Sequence, residues 1–389
     1  MTDAHEVSVG GFGSAPMIDG APLGSRIGAW VAPIQKRRFS RLDGLRAAAV
    51  LLVVAAHAGL RSVVPGGLGV TVFFVISGFI ITHLVLVERE RTGGFALGGF
   101  YARRAAKLMP PLVVLIILPT VAYGATNEVS WRAVSTQVLF VFNWFRLYGD
   151  SPGEVLPGSG VVWSLAIEEQ FYIVFALLWL GSIRLSKRPE RFLATVSGAA
   201  IIVSAVIRGA FVGDEVRIYL GTDTRMDAIA AGVLAAIAFR ASANRRNAPF
   251  LQGAAGCDVT LVSSVAGLVA TLLIRDDVFR DTVRYTLQAL ASAVLVLHFV
   301  SEPTGVVGRF VARAANLAPF QAIGLASYSI YLAHNPLFVA LPAPHGIGGI
   351  LLRVVIGVLI GVVAWRIVEV PIQRIRSRLR RSGRIGSSG

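Results

Sequence analysis

The chain is poor in charge, in cysteine and in acidic residues. Only 15% of its 389 residues are Asp, Glu, Lys or Arg, where a water-soluble domain carries about 25%. That excludes an ordinary aqueous globular surface. A single cysteine, Cys257, excludes an intramolecular disulfide and a cysteine-held metal cluster. Acidic residues number 22 against 37 Lys and Arg, a formal net charge of +15. No basic stretch is interleaved with base-stacking aromatics, so this excess is not read as a nucleic-acid surface. Residues 1–35 lack a continuous apolar run. With their Gly, Ala and Ser they read as part of a disordered cytoplasmic lead-in over 1–38, not as a cleaved signal peptide.

Apolar residues are abundant: 54% of the chain is hydrophobic and mean hydropathy is +0.68. The bilayer then sets element lengths, at ~20 residues per spanning helix. Apolar segments run over about 45–63, 68–87, 110–126, 160–181, 192–212, 226–240, 258–274, 284–301, 320–341 and 347–368. The expected fold is all-α integral membrane, with about ten transmembrane helices. Lys and Arg concentrate around 26–46, 89–107, 184–191, 240–246, 309–313 and 366–384. Cationic loops stay inside, so both termini are expected in the cytoplasm. The membrane domain is expected over 39–373. The basic tail 374–389 is expected to meet anionic lipid headgroups. Trp131, Trp144 and Tyr148 in the long connection 127–159 suit the interface.

Ionisable residues inside apolar segments are the candidate chemistry, because lipid makes them costly. Arg46 and His57 are eleven residues apart. In a helix that is about 1100°, so the two share a face, roughly 16 Å apart along the axis. Asp43 lies three before Arg46 and can pair with it. Trp163 to Tyr172 (WSLAIEEQFY) carries adjacent carboxylates. Glu168 shares a face with Ser164 and Tyr172, and Glu169 points about 100° away. One carboxylate can orient an imidazole, while the other can bond Gln170 or arginines elsewhere. Tyr101, Arg103, Arg104 and Lys107 precede the third apolar run. Arg104 and Lys107 can clamp a phosphate, but on spacing alone a plain cationic inner loop explains them better. Ser327, Tyr331 and either His334 or Asn335 share a face, and Pro336 is expected to kink that helix. A polar cavity and interhelical bonding both fit this segment. His5, His83, His298 and His345 show no metal-ligand arrangement in sequence.

Taken in order, these motifs resemble the membrane-bound acyltransferase 3 family, bacterial enzymes that O-acylate sugars, envelope glycans and some antibiotics. The resemblance covers about Phe39 to Gln373. It rests on Arg41 to Arg46 (RLDGLR) with His57 beyond it, Val72 to Phe79 (VFFVISGF), and Tyr101 to Arg104. Trp163 to Tyr172, Ser327 to Pro336, and Arg366 to Pro371 (RIVEVP) complete it. It implies a catalytic His57 with Arg46 as its paired arginine, and Glu168 as the family's membrane glutamate. It implies Arg103, Arg104 and Lys107 as donor contacts. Lys107 stands where the family usually has arginine, which keeps the charge but removes the bidentate fork. The expected co-substrate is acyl-CoA, with acetyl as the acyl group, and no bound cofactor. The acceptor would be a hydroxyl of a sugar, envelope glycan or glycoside. Asp43, Trp163, Glu169, Tyr172, Tyr331 and His334 are the expected substrate contacts. The resemblance places the protein in the bacterial inner membrane as a stand-alone form without a fused hydrolase-like domain. Its oligomeric state is left open.

In the mechanism these residues imply, phosphates bind Arg46, Arg104 and Lys107, and the thioester reaches His57 along the first helix. Glu168 is expected to hold the other imidazole nitrogen. Direct transfer and an acyl-histidine both fit. The competing class is a proton-coupled transporter or flippase with a His57–Glu168 relay. Acceptor choice is assigned to Trp131, Trp144, Tyr148, Asp214, Asp223 and Arg225 in the loops.

Overall fold

The computed structural model describes residues 39–150, 155–244, 254–342 and 344–375. The expected lead-in 1–38 lies outside the described residues, as does the basic tail beyond Ile375. Among the described residues, every regular element is helical. The long helices are α1 (Ser40–Leu60), α2 (Gly66–Thr92), α3 (Leu97–Tyr123), α4 (Ser159–Leu185) and α5 (Pro189–Ala210). They continue with α6 (Thr222–Asn244), α7 (Gly256–Leu273), α8 (Arg284–Val300), α9 (Ser327–Ala340) and α10 (Gly346–Ile375).

Seven of these, α1 to α5, α7 and α10, are long and apolar enough to cross a bilayer. Each of the ten falls on one of the apolar segments read in the sequence. The chain is an all-α, multi-pass membrane protein. Two boundaries differ from expectation. Helix α3 starts at Leu97, not near 110, because Arg103 and Arg104 lower the local hydropathy yet find carboxylate partners on Glu88 and Glu169. The segment 320–341 is two helices, Ala318–Leu325 and α9, broken at Ala326.

Helix α6 packs against α2, α5 and α8, while α1 packs against α2 and α9 against α10. The α2–α6 seam is a backbone-to-backbone contact. A Cβ on Gly78 would strike the Ile229 carbonyl, and one on Gly232 would strike the Val75 carbonyl. Small residues let membrane helices approach this closely. By contrast, α10 leaves Leu351, Leu352, Val355, Leu359 and Val363 exposed, at helical spacing. Such a continuous apolar face belongs in lipid, where no water is displaced by leaving it uncovered.

Among the described residues three helices contain an i→i+5 turn: Ala56–Leu60 at the end of α1, Val113–Ile117 in α3, and Trp365–Glu369 in α10. Such turns re-aim side chains and often mark functional sites. The first carries His57 and the third Glu369. Gly59, at φ 133°, closes the first turn in a conformation open to glycine.

Candidate active site

A cavity of about 260 Å³ opens among α1, α2, α3, α4, α9 and α10. It gathers Arg46, Arg103, Arg104, Lys107, Glu168, Tyr172 and Tyr331 from the sequence expectation. It also gathers Ser77, Glu88, Ser327, Tyr328 and Glu369. The rest of its wall is apolar, including Val70, Phe73, Phe74, Leu108 and Leu165.

Polar bonds between helices hold the walls. Ser77 Oγ on α2 donates to Glu168 Oε1 on α4 at 3.0 Å. The Tyr328 hydroxyl on α9 donates to the Leu108 carbonyl on α3 at 3.0 Å. Ser329 Oγ on α9 donates to Glu369 Oε1 on α10 at 2.7 Å. Ser164 Oγ on α4 and the Tyr331 hydroxyl on α9 lie 2.7 Å apart, and that hydroxyl is also 3.0 Å from the Val161 carbonyl. Lipid offers no competing water, so each bond fixes helix position as well as side-chain direction.

The cations differ in how far they are committed. Arg103 pairs with Glu88 at 2.7 Å, and Glu88 also accepts from the Ala96 backbone N–H at 2.9 Å, tying the start of α3 to the end of α2. Arg104 donates from Nε and an Nη to Glu169 Oε1 and lies over the Tyr172 ring. Arg46 stands 3.8 Å from Asp43, a loose contact. Lys107 forms no hydrogen bond or ion pair with the described residues. It is exposed and lines the cavity together with Arg46, Glu168 and Glu369.

His57 stands apart from the cavity wall. Its Nδ1 lies 3.0 Å from His334 Nε2, and His334 Nδ1 lies 3.0 Å from the Ile330 carbonyl oxygen. His334 is wholly buried, whereas His57 is exposed. Between cavity and histidines stands Tyr331, which lines the cavity and places its ring centroid 5.9 Å from that of His334. Along α1, Val50 and Val54 between Arg46 and His57 are fully buried against Ala326 and Ile330.

The structure places several of these residues differently from expectation. Glu168 does not hold His57; it is bonded to Ser77, and the imidazole meets His334 instead. Arg46 and His57 do not share one open tunnel, because the stripe between them is packed by valine. Asp43, Trp163, Glu169 and His334 are not on the cavity wall. Asp43 is buried beside Gly324, where even a Cβ would strike the Asp43 backbone. Trp163 is buried between Phe74 and Tyr219, at ring separations of 6.3 and 4.6 Å. Glu169 is taken up by Arg104. Of Ser327, Tyr331, His334 and Asn335, the first two line the cavity, while Asn335 donates to the Gly158 carbonyl.

Among the loop residues expected to choose an acceptor, Trp131 and Tyr148 are exposed. Trp144 donates to Gln170. Asp214 caps the short helix Glu215–Leu220. Asp223 binds both Nη atoms of Arg217 at 2.8 and 2.6 Å. Those bonds hold the Arg217 guanidinium above its ordinary range. Arg225 is fully buried against the Tyr285 and Tyr219 rings and bonds Thr71. Ser77, Tyr328 and Glu369 fall within the motifs that carry the family resemblance but were given no role in the sequence reading. Glu369 had one further legible signal, a lone carboxylate at the end of the last apolar run, two residues before Pro371.

Together these features define a polytopic membrane protein with a cation-lined cavity between its helices and a histidine pair beyond it. The sequence profile described as "Acyltransferase domain" matches residues 39–368. The chain belongs to that acyltransferase family. It is 29% identical over 364 residues to the peptidoglycan O-acetyltransferase OatA of Listeria monocytogenes, an alignment covering 87% of this chain and 57% of that protein. It is 28% identical over 363 residues to the O-acetyltransferase OatA of Staphylococcus aureus, covering 87% of this chain and 58% of that protein. The chain thus spans less than two thirds of the length of these curated relatives. No solved structure matches it.

Proposed function

We propose that the chain is a bacterial inner-membrane O-acyltransferase that moves an acetyl group from acetyl-CoA, bound at the cytoplasmic face, to a hydroxyl of an envelope glycan. The cavity supports this reading above all. It combines cations at one end, Arg46, Arg103, Arg104 and Lys107, with an apolar wall leading toward Tyr331. Phosphates favour the first and a slender thioester arm the second. With both termini cytoplasmic, the cationic end faces the cytoplasm, in keeping with the bias of Lys and Arg.

His57 acts as the general base. Its free nitrogen takes the proton of the acceptor hydroxyl as the oxygen bonds to the thioester carbon. The tetrahedral intermediate collapses, the carbon–sulfur bond breaks, and the imidazolium returns the proton to the departing thiolate. General-base assistance of this kind contributes about 10²–10⁴ in rate. His57 is exposed and so open to an acceptor, and Tyr331 lies between the donor cavity and the histidine pair. Peptidoglycan is the acceptor favoured by the name of the Listeria relative.

A proton-coupled transporter is the rival class. Among the described residues no bond joins the His57 and Glu168 of its relay: Glu168 is bonded to Ser77 and His57 to His334. Proteoliposomes given acetyl-CoA and peptidoglycan fragments distinguish the two. Coenzyme A release coupled to fragment acetylation is expected. Solute uptake driven by a pH gradient, without coenzyme A release, would overturn the proposal.

A further inference from the structure

A base in acyl transfer needs a defined tautomer, and Glu168, the group expected to set it, is bonded elsewhere. The two histidines settle the question between themselves. A carbonyl oxygen only accepts, so the 3.0 Å contact with Ile330 puts a hydrogen on His334 Nδ1. A neutral imidazole carries one N–H. A second proton on His334 would place a cation at a wholly buried site, with no carboxylate bonded to it among the described residues, which lipid makes expensive. Nε2 of His334 is therefore a lone-pair acceptor. The hydrogen in the 3.0 Å contact between the two rings belongs to His57 Nδ1. That leaves the lone pair of His57 on Nε2.

We propose that His334 is a positioning residue that locks His57 in its Nδ1–H tautomer and presents the Nε2 lone pair to the acceptor hydroxyl. The relay runs from the Ile330 carbonyl through His334 to His57, each bond polarising the next. It does what a buried carboxylate does for a catalytic histidine in other enzymes, with no fixed charge to desolvate. The ring of His334 is itself held on α9 by Phe338 at 5.8 Å, nearly edge-on, and by Tyr331 at 5.9 Å. A Cβ on Gly357 of α10 would touch both Phe338 and His334, so α10 presses on the same group. A side chain whose own orientation is packed in place can orient another. Tyr331 thus touches the donor cavity on one side and this histidine pair on the other.

The functional meaning of the relay rests on the acyl-transfer reading of His57, but the tautomer can be measured without turnover. The test uses the full chain in lipid nanodiscs, labelled with ¹⁵N-histidine, with His57→Asn identifying the His57 signals. The expected wild-type spectrum shows His57 protonated at Nδ1 and bare at Nε2. His334→Leu removes the acceptor, and His57 should then populate both tautomers. His334→Gln puts a carbonyl oxygen near the Nε2 position and should restore the Nδ1–H form. His334→Asn keeps a polar side chain too short to reach His57, and should behave like the leucine variant even if leucine fails to fold. A wild-type His57 protonated at Nε2, or a tautomer unchanged in both His334→Leu and His334→Asn, overturns the proposal.

Kinetics with acetyl-CoA and peptidoglycan fragments supply the second readout. The leucine and asparagine variants should lose about 10- to 100-fold in kcat, with KM for acetyl-CoA within about twofold of wild type, and glutamine should recover most of the loss. If His57→Ala turns over normally, the acyl-transfer reading fails whatever the spectra show. If His57→Ala is inactive and His334→Asn is fully active, the positioning role alone fails.

Discussion

Arg104 places two guanidinium nitrogens on one carboxylate oxygen of Glu169, at 3.1 and 2.6 Å, and lays its plane 3.5 Å from the centre of the Tyr172 ring. The pair fastens α3 to α4 beside the cavity, so its first role is to hold the cavity's shape. Glu169→Ala leaves a charge unpaired where little water reaches it. It should lower stability by up to about 3 kcal/mol, read as a fall in melting temperature in detergent. Glu169→Gln keeps an acceptor and should lose less. Arg104→Lys should resemble the alanine variant, since lysine has neither the fork nor the flat face. Wild-type melting of Glu169→Ala would remove the pair from the account.

Lys107 is the cation left uncommitted by the described residues, and it faces the same space. Lys107→Ala should raise KM for acetyl-CoA about tenfold or more, the weight of a charge-assisted hydrogen bond, with kcat changed little. Lys107→Arg should match or improve on wild type. Steady-state kinetics over a range of acetyl-CoA concentrations reads both. An unchanged KM in the alanine variant, or a large loss in the arginine variant, would count against a donor site there.

Arg208 on α5 and Asp227 on α6 form a fully buried ion pair at 2.9 Å, with Thr286 on α8 donating to the same carboxylate oxygen. Removing one partner strands the other. Asp227→Ala should cost about 3–5 kcal/mol, while Arg208→Met combined with Asp227→Leu should melt closer to wild type. Equal melting of the single and double variants would show that the charge is not what matters.

Long apolar runs made the helices legible, because lipid leaves so few other solutions. The order and rough limits of α1 to α10 were readable for that reason. The start of α3 was not, since a hydropathy reading penalises Arg103 and Arg104 without seeing the carboxylates that neutralise them. Helical spacing put Arg46 and His57 on one face, but it carried no information on what packs against that face. Ile330 and Ala326, far along the chain, fill it. The same limit hid the contacts of His57 with His334 and of Glu369 with Ser329. Spacing reports neighbours within one helix, whereas these bonds join helices whose pairing only the fold decides.

The central claim is that His57 removes a proton from the acceptor hydroxyl. The direct measurement is the rate of acetyl transfer from acetyl-CoA to peptidoglycan fragments by His57→Ala, in proteoliposomes where the variant is shown to insert and melt like wild type. A loss of about 10²-fold or more in kcat, with acetyl-CoA binding retained, is expected. Turnover within a few-fold of wild type would contradict the account.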